Sequence, residues 1–224
     1  LYGQIDPSML PIPGWRECSL QALSGSEVRG WAGDLIDGDD ALLIEQIQTR
    51  LLARRGVFPS ADEILVTVGA QQALFLLATL LVGPATTVGV EDPGYPDARN
   101  IMAARTPSVV ALPLDASGLA LSPGLDACDY VVLTPSHQCP TNTTMPLGRR
   151  EALLAWAQAR DRVLIEDDYE LEIGLEGRAQ PALKSLDRTG RVVYVGSLSK
   201  TLAPGIRMGY IVAHRDLIRE ARAM

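Results

Sequence analysis

Short runs of β-branched and apolar residues recur along this chain. Each is separated from the next by a longer stretch whose apolar positions fall at helical spacing. The runs occupy 64–67, 87–90, 108–111, 130–133, 163–165, 192–195 and 210–212. They are continuously apolar rather than alternating, as expected of strands covered on both faces in a mainly parallel sheet. The stretches 41–54, 71–81, 96–104, 149–159 and 214–224 read as helices; Asp39-Asp40 offer an N-cap to the first and Gly56 a stop. This alternation predicts an α/β domain of three layers, α/β/α, around a mainly parallel seven-stranded sheet. Residues 1–35 carry three prolines and two tryptophans and lack this rhythm. They read as an N-terminal arm or a contribution to a second, small domain. The main domain is expected over 36–213, and 214–224 starts a helix that leads on toward a C-terminal domain outside this sequence.

Composition narrows the function classes. With 47% hydrophobic and 21% charged residues over 224 positions, the chain reads as an ordinary globular domain. A formal net charge of −7 argues against this segment gripping nucleic acid or an anionic membrane, since either needs a clustered basic face. Cys18, Cys128 and Cys139 show no CxxC spacing, so neither a disulfide framework nor a metal site is expected, and a reducing cytoplasm is the natural compartment. No leader-like segment stands at the start, and the longest apolar run, around 73–82, is broken by Gly83-Pro84 well short of a membrane span. The chain opens on Leu1 and stops inside a helical pattern, as an excerpt of a longer protein would.

In open α/β sheets, ligands bind beyond the carboxyl ends of the strands. Polar clusters follow the predicted strands there: Gly69-Ala70-Gln71, Glu91-Asp92-Pro93-Gly94-Tyr95, Thr134-Pro135-Ser136-His137-Gln138, Glu166-Asp167-Asp168-Tyr169 and Ser197-Leu198-Ser199-Lys200. Of 20 basic side chains only Lys184 and Lys200 are lysines. Arginine stays protonated, whereas a buried lysine can lose its proton and attack a carbonyl. Lys200 stands between small hydroxyls and Arg207. Lys184 has no such surroundings and reads as a surface residue. Ser197, Ser199, Arg207 and the amides at Gly69-Ala70-Gln71 make an anion cradle suited to a phosphate. Either Asp167 or Asp168 ends a buried strand and offers a carboxylate to a ring nitrogen; Tyr95 and Tyr169 offer a stacking face and a phenol. Taken singly, each of these features has an ordinary structural explanation. Together they describe a ligand with a phosphate, a basic aromatic ring and an aldehyde, which is pyridoxal phosphate.

In these blocks the sequence resembles fold-type-I pyridoxal-phosphate proteins of the aspartate-aminotransferase superfamily. It is most similar to the aminotransferase-like domain of MocR/GabR-type regulators of the GntR group. The runs Glu91–Pro96, Thr134–Gln138, Glu166–Tyr169 and Ser197–Arg207 match in order, as do Tyr2-Gly3-Gln4-Ile5-Asp6, Pro11 and Trp15. The resemblance implies the large domain of that fold with its C-terminal small domain missing, and a homodimer whose partner helps complete the site. It implies that Lys200 forms the internal aldimine, that Asp167 (with Asp168 as fallback) meets the pyridine nitrogen, and that Tyr169 meets the phenolic oxygen. Tyr95 would stack on the ring, while Gly69, Ala70, Gln71, Ser197, Ser199 and Arg207 hold the phosphate. Where many aminotransferases carry Asn-Pro-Thr-Gly, this chain has Cys139-Pro140-Thr141-Asn142. Cysteine is a weak donor, so His137 nearby is the candidate replacement for the lost ring contact. Two uses share this site: a sensor that binds an amino compound as an external aldimine, for which a DNA-binding domain would lie outside this segment, and a catalytic aminotransferase acting on an amino acid. The regulator is the favoured reading. A phosphate-binding α/β protein without the cofactor is a distant third.

Overall fold

The computed structural model of the chain describes residues 6–33, 38–169 and 181–224; the motif residues Tyr2–Ile5 lie outside them. Two helices come first, α1 (Ile12–Ala22) and α2 (Gly25–Trp31), and neither buries a residue. The Trp31 indole ties them together by donating to the Ala22 carbonyl at 2.8 Å. Both fall in the span assigned to the arm, where the prolines obscured the helical pattern. The next helix, α3 (Ala41–Gln46), is capped by Asp40, whose carboxylate accepts the Leu43 amide at 2.8 Å. Its winding continues through a wider π-type stretch, Ile47–Leu52, and a tight turn, Ala53–Arg55, and stops at Gly56 with φ +71°.

From there the expected alternation holds: β1 (Ile64–Thr67), α4 (Gly69–Leu81), β2 (Val88–Asp92), α5 (Pro96–Ala103), β3 (Val109–Asp115), β4 (Gly118–Leu119) and β5 (Tyr130–Leu133). After these come α6 (Leu147–Arg160), β6 (Val163–Asp168), α7 (Leu183–Leu186), β7 (Val192–Ser197), β8 (Gly209–Val212) and α8 (Arg215–Arg222). The strand order is β1-β8-β7-β6-β5-β2-β3-β4. Strands β2, β3, β5, β6 and β7 form parallel pairs, while β8 runs antiparallel to both β7 and β1. All seven expected strands form. The eighth, β4, is a two-residue antiparallel addition to β3, too short to leave an apolar run. Strands β2, β6 and β7 also run further than hydropathy indicates, because the ladder carries polar residues at their carboxyl ends: Asp167 pairs with Val195 and Asp168 with Gly196.

The sheet is covered on both sides. Val90, Val132, Ile165, Val195 and Ile211 pack against Leu74 and Leu77 of α4, Met102 of α5 and Ile218 of α8. On the other face Val131, Leu133 and Leu164 meet Leu153 and Ala157 of α6. A third cluster seats Ile44, Ile47 and Leu52 on Tyr194 and Tyr210. Each such side chain, fully buried, contributes about 1.5–3 kcal/mol. Because the helices α4 and α5 start at the carboxyl ends of the parallel strands, the core places their N-termini around one end of the sheet.

Candidate functional site

Strand β6 separates three consecutive acids by its pleat, since successive side chains point to opposite faces. Glu166 and Asp168 face the side of α3 and α7. Glu166 accepts the amides of Leu183 and Lys184, each at 2.8 Å. Asp168 Oδ2 accepts from Arg55 Nε and from the Tyr194 phenol, also at 2.8 Å each. Arg55 reaches on to Ser136 Oγ. Arg150, fully buried, donates to the carbonyls of Met145, Pro181 and Pro135. These charges form a structural network away from the cleft wall, in which Asp168 Oδ1 is left without a partner. Asp168 is therefore committed to the fold, and the fallback role given to it falls away.

Asp167 points the other way. It is 4% exposed, and its Oδ1 has no hydrogen-bond partner. Burial first, then the charges of Asp168 and Glu91, push its carboxyl up to about 7. A carboxylate so placed asks for a donor with positive charge.

The anion cradle is built at the start of α4. Val68, at the N-cap, makes no side-chain cap, so the first amides of the helix remain available. Gly69 has φ +81°, and a Cβ there would lie 2.8 Å from Arg207 Nη2. Only glycine lets the guanidinium rest on the helix end. Gly209, at the start of β8, is needed for a similar reason: a Cβ would lie 2.8 Å from the Gly69 carbonyl carbon. The Ser199 amide donates to Ser197 Oγ at 3.2 Å, which folds the turn after β7 toward the cradle.

These elements enclose a cleft of about 220 Å³. Its walls include Asp167, Lys200, Arg207, Ser197 and Ser199, with Ala70 and Gln71 at the helix end and Tyr95 and Tyr169 contributing aromatic surface. The phenol of Tyr95 accepts from Gln71 Nε2 at 2.9 Å and donates to Asp97 Oδ2 at 3.0 Å. Burial, followed by Asp97 among the groups that favour the neutral form, pushes that phenol up to about 12. The ring is thus held as a neutral, fixed wall. An orphaned buried carboxyl oxygen, an uncapped helix start with an arginine on it, and a half-buried lysine share one cleft. That donor set fits pyridoxal phosphate: a protonated ring nitrogen for Asp167, a phosphate for the cradle, a carbonyl carbon for Lys200.

Ten of the eleven expected site residues meet here, Gly69 through its contact with Arg207. The eleventh, His137, is not on the cleft wall; its ring stands edge-on to Tyr169, with centroids 6.4 Å apart. Cys139 itself lines the cleft, together with Thr134 and Pro204. His137 thus stands against Tyr169, itself on the cleft wall. Lys184 also departs from expectation. Its side chain is 19% exposed, and Nζ donates to the Val192 carbonyl at 2.6 Å. Burial holds its pKa below the ordinary lysine value. It braces α7 against β7, and nothing in its flanking residues signalled that. Sequence reasoning gave no role to Arg55, Arg150 or Glu91, because their partners lie far along the chain or are backbone carbonyls in loops. A larger cleft of about 510 Å³, between α3 and α8, holds Asp39, Asp62, Arg215, Arg219 and Arg222 and none of the expected site residues.

Among the described residues no helix is long and apolar enough to cross a membrane, and no group of His, Cys, Asp and Glu is arranged to hold a metal ion.

Comparison with known proteins follows the same lines. Residues 37–224 match the family described as aminotransferase class I and II. The chain is 44% identical over 224 residues to the HTH-type transcriptional regulator TauR of Rhodobacter capsulatus, covering all of this chain and 46% of that protein. It is 38% identical over 171 residues to the HTH-type pyridoxine biosynthesis transcriptional regulator PdxR of Corynebacterium glutamicum, covering 75% and 37%. Among solved structures, kynurenine aminotransferase of Pyrococcus horikoshii, in complex with PMP, superposes with a TM-score of 0.86 at 28% identity, covering 99% of this chain and 57% of that one. The chain thus spans about half the length of the curated relatives it matches, or less.

Proposed function

The chain belongs to the aminotransferase class I and II family, and from that premise we propose that it is the pyridoxal-phosphate-binding, amine-sensing domain of a MocR/GabR-type transcriptional regulator. The observation that carries the cofactor reading is Asp167, a buried carboxyl with an unpartnered oxygen on the wall of the same cleft as Lys200. The regulator reading is supported by 44% identity along the entire chain to an HTH-type regulator.

In this reading Lys200 Nζ attaches the cofactor, and Asp167 keeps the ring nitrogen protonated. Tyr169 donates to the phenolic oxygen and Tyr95 covers one ring face. The amides of Gly69, Ala70 and Gln71, with Ser197, Ser199 and Arg207, would hold the phosphate. When bound, the cofactor supplies an electron sink for the carbon that bears an amine. Lys200 Nζ, when not attached to the cofactor, would be free to hold or move a proton beside the ligand as a base. A sensor needs the amine to bind two conformations with different affinity. Such a change would be transmitted to a DNA-binding part outside this segment. A homodimer belongs to the reading too, supported by Val68 and Phe75, apolar side chains 59% and 52% exposed at and near the start of α4.

The test uses the complete protein loaded with pyridoxal phosphate. A visible absorption band is expected, absent from Lys200→Ala and shifted by the cognate amine. A colourless wild-type protein would defeat the cofactor reading. Sustained transamination between an amino donor and a 2-oxo acid would instead favour the enzyme, a use the same residues allow.

A further inference from the structure

Asp167 needs more than a ring nitrogen. An ionised carboxylate offers about four acceptor sites, and a pyridinium N–H fills one. For a group buried this deeply, a second donor is worth having. Beside the cleft lies a small pocket of about 10 Å³, lined by Asp167 and Glu91 together with Val90, Tyr95, Ala98, Val132, Leu133 and Thr134. That is room for a single water molecule. Glu91 is 7% exposed and rigidly held at one end. Its Oε2 accepts from the Thr134 amide at 3.1 Å, the Thr134 hydroxyl at 2.7 Å and Gln138 Nε2 at 3.2 Å. Its Oε1 is buried without a partner, as is Asp167 Oδ1.

We propose that Glu91 is a positioning residue for Asp167, joined to it by one water molecule that bridges Glu91 Oε1 and the Asp167 carboxyl group across this cavity. Burial favours the protonated form of Glu91; in that form its carboxyl donates to the water and the water donates to Asp167. The bridge holds the Asp167 carboxylate from the side while leaving it open toward the cleft. Other ionisable groups around Asp167 come from its own strand (Asp168), from the turn before α5 (Tyr95), from the turn after β6 (Tyr169) and from the segment after β7 (Lys200, Arg207). None of these borders the small cavity except Tyr95, whose phenol is already engaged with Gln71 and Asp97. The proposal bears on the cofactor site and rests on that reading for its consequence, a firmer hold on the ring nitrogen.

Two substitutions separate bridging from mere anchoring. Ala98→Val fills the cavity and expels the water while leaving Glu91 bonded to Thr134 and Gln138. Glu91→Gln keeps an acceptor for those partners and a donor for the water. The titration midpoint of Asp167 is read by infrared difference against Asp167→Asn, in the complete protein without cofactor. Ala98→Val should raise the midpoint by about one pH unit, the size expected for losing a hydrogen bond to the ionised form. Glu91→Gln should leave it near the wild-type value or lower it, since the substitution also removes a charge that raises Asp167. An unmoved midpoint in folded Ala98→Val, or a Glu91→Gln midpoint raised as far as that of Ala98→Val, would overturn the proposal. If Ala98→Val does not fold, a high-resolution crystal structure of the wild type decides: a water within hydrogen-bond distance of both carboxyls supports the bridge, and its absence refutes it. Because the midpoint is measured without cofactor, this outcome stands apart from the visible-band test.

Discussion

Asp167→Asn separates what this carboxyl does for a ligand from what it costs the protein. Burial, then Asp168 and Glu91, raise the group from 3.8 to about 7. Below pH 4 it is protonated in folded and unfolded chains alike, and pH has little leverage. Between about 4 and 7 the unfolded chain releases the proton while the folded one keeps it, so stability falls as pH rises through that window. Some three pH units at about 1.4 kcal/mol each set a ceiling of roughly 4 kcal/mol, fully developed above pH 7. Part of that belongs to Asp168 and Glu91. Asparagine carries no charge at any of these pH values. In the cofactor-free complete protein, the variant's advantage should therefore grow from near zero at pH 4 to about 2–4 kcal/mol at pH 8. For a chain of this size that is a rise in Tm of several degrees, readable in a series of thermal or urea melts. Cofactor affinity should move the opposite way, by about 1.5–3 kcal/mol for a lost charge-assisted hydrogen bond. A pH-independent difference, or a variant less stable than wild type at pH 8, would refute the reasoning.

The cradle and the network behind it give further expectations. Gly69→Ala places a methyl against Arg207 at a left-handed backbone position; it should cost about 1–2 kcal/mol in denaturant melts and weaken phosphate-dependent cofactor binding in a fluorescence titration. Arg55→Met strands the buried Asp168 carboxylate and should cost about 3–5 kcal/mol. Adding Asp168→Asn to it should restore part of that loss, and strict additivity in the double-mutant cycle would argue against the pair.

The hydrophobic rhythm was enough to locate every strand but β4, and residue chemistry at the strand ends was enough to find the cleft. What hydropathy could not resolve was direction. Asp167 and Asp168 look interchangeable in one dimension; the pleat of β6 alone sends one to the cleft and the other to Arg55. His137 was chosen for its donor capacity near Cys139, yet the turn after β5 sets it against Tyr169 instead. Lys184 read as surface because it lacks the hydroxyl and arginine surroundings of Lys200, whereas its partner, the Val192 carbonyl, belongs to the next strand. Glu91, Arg55 and Arg150 were silent for the same reason. The partners of Glu91 and Arg55 sit dozens of residues away, and those of Arg150 are backbone carbonyls in loops, pairings of which an isolated sequence carries no mark.

The closing of the sheet has a consequence for how such a protein is made. Strand β1 is formed near the front of the domain, but it pairs with β8, Ile64 opposite Val212. Arg207, just before β8, rests on Gly69, just after β1. During vectorial synthesis the edge of β1 and the helix end beside it must wait, unpaired, until nearly all the intervening chain has left the ribosome. Contacts of such long sequence separation are slow to form. The anion cradle is incomplete before that moment, so the cleft beside Lys200 cannot take its shape until β8 has docked against β1.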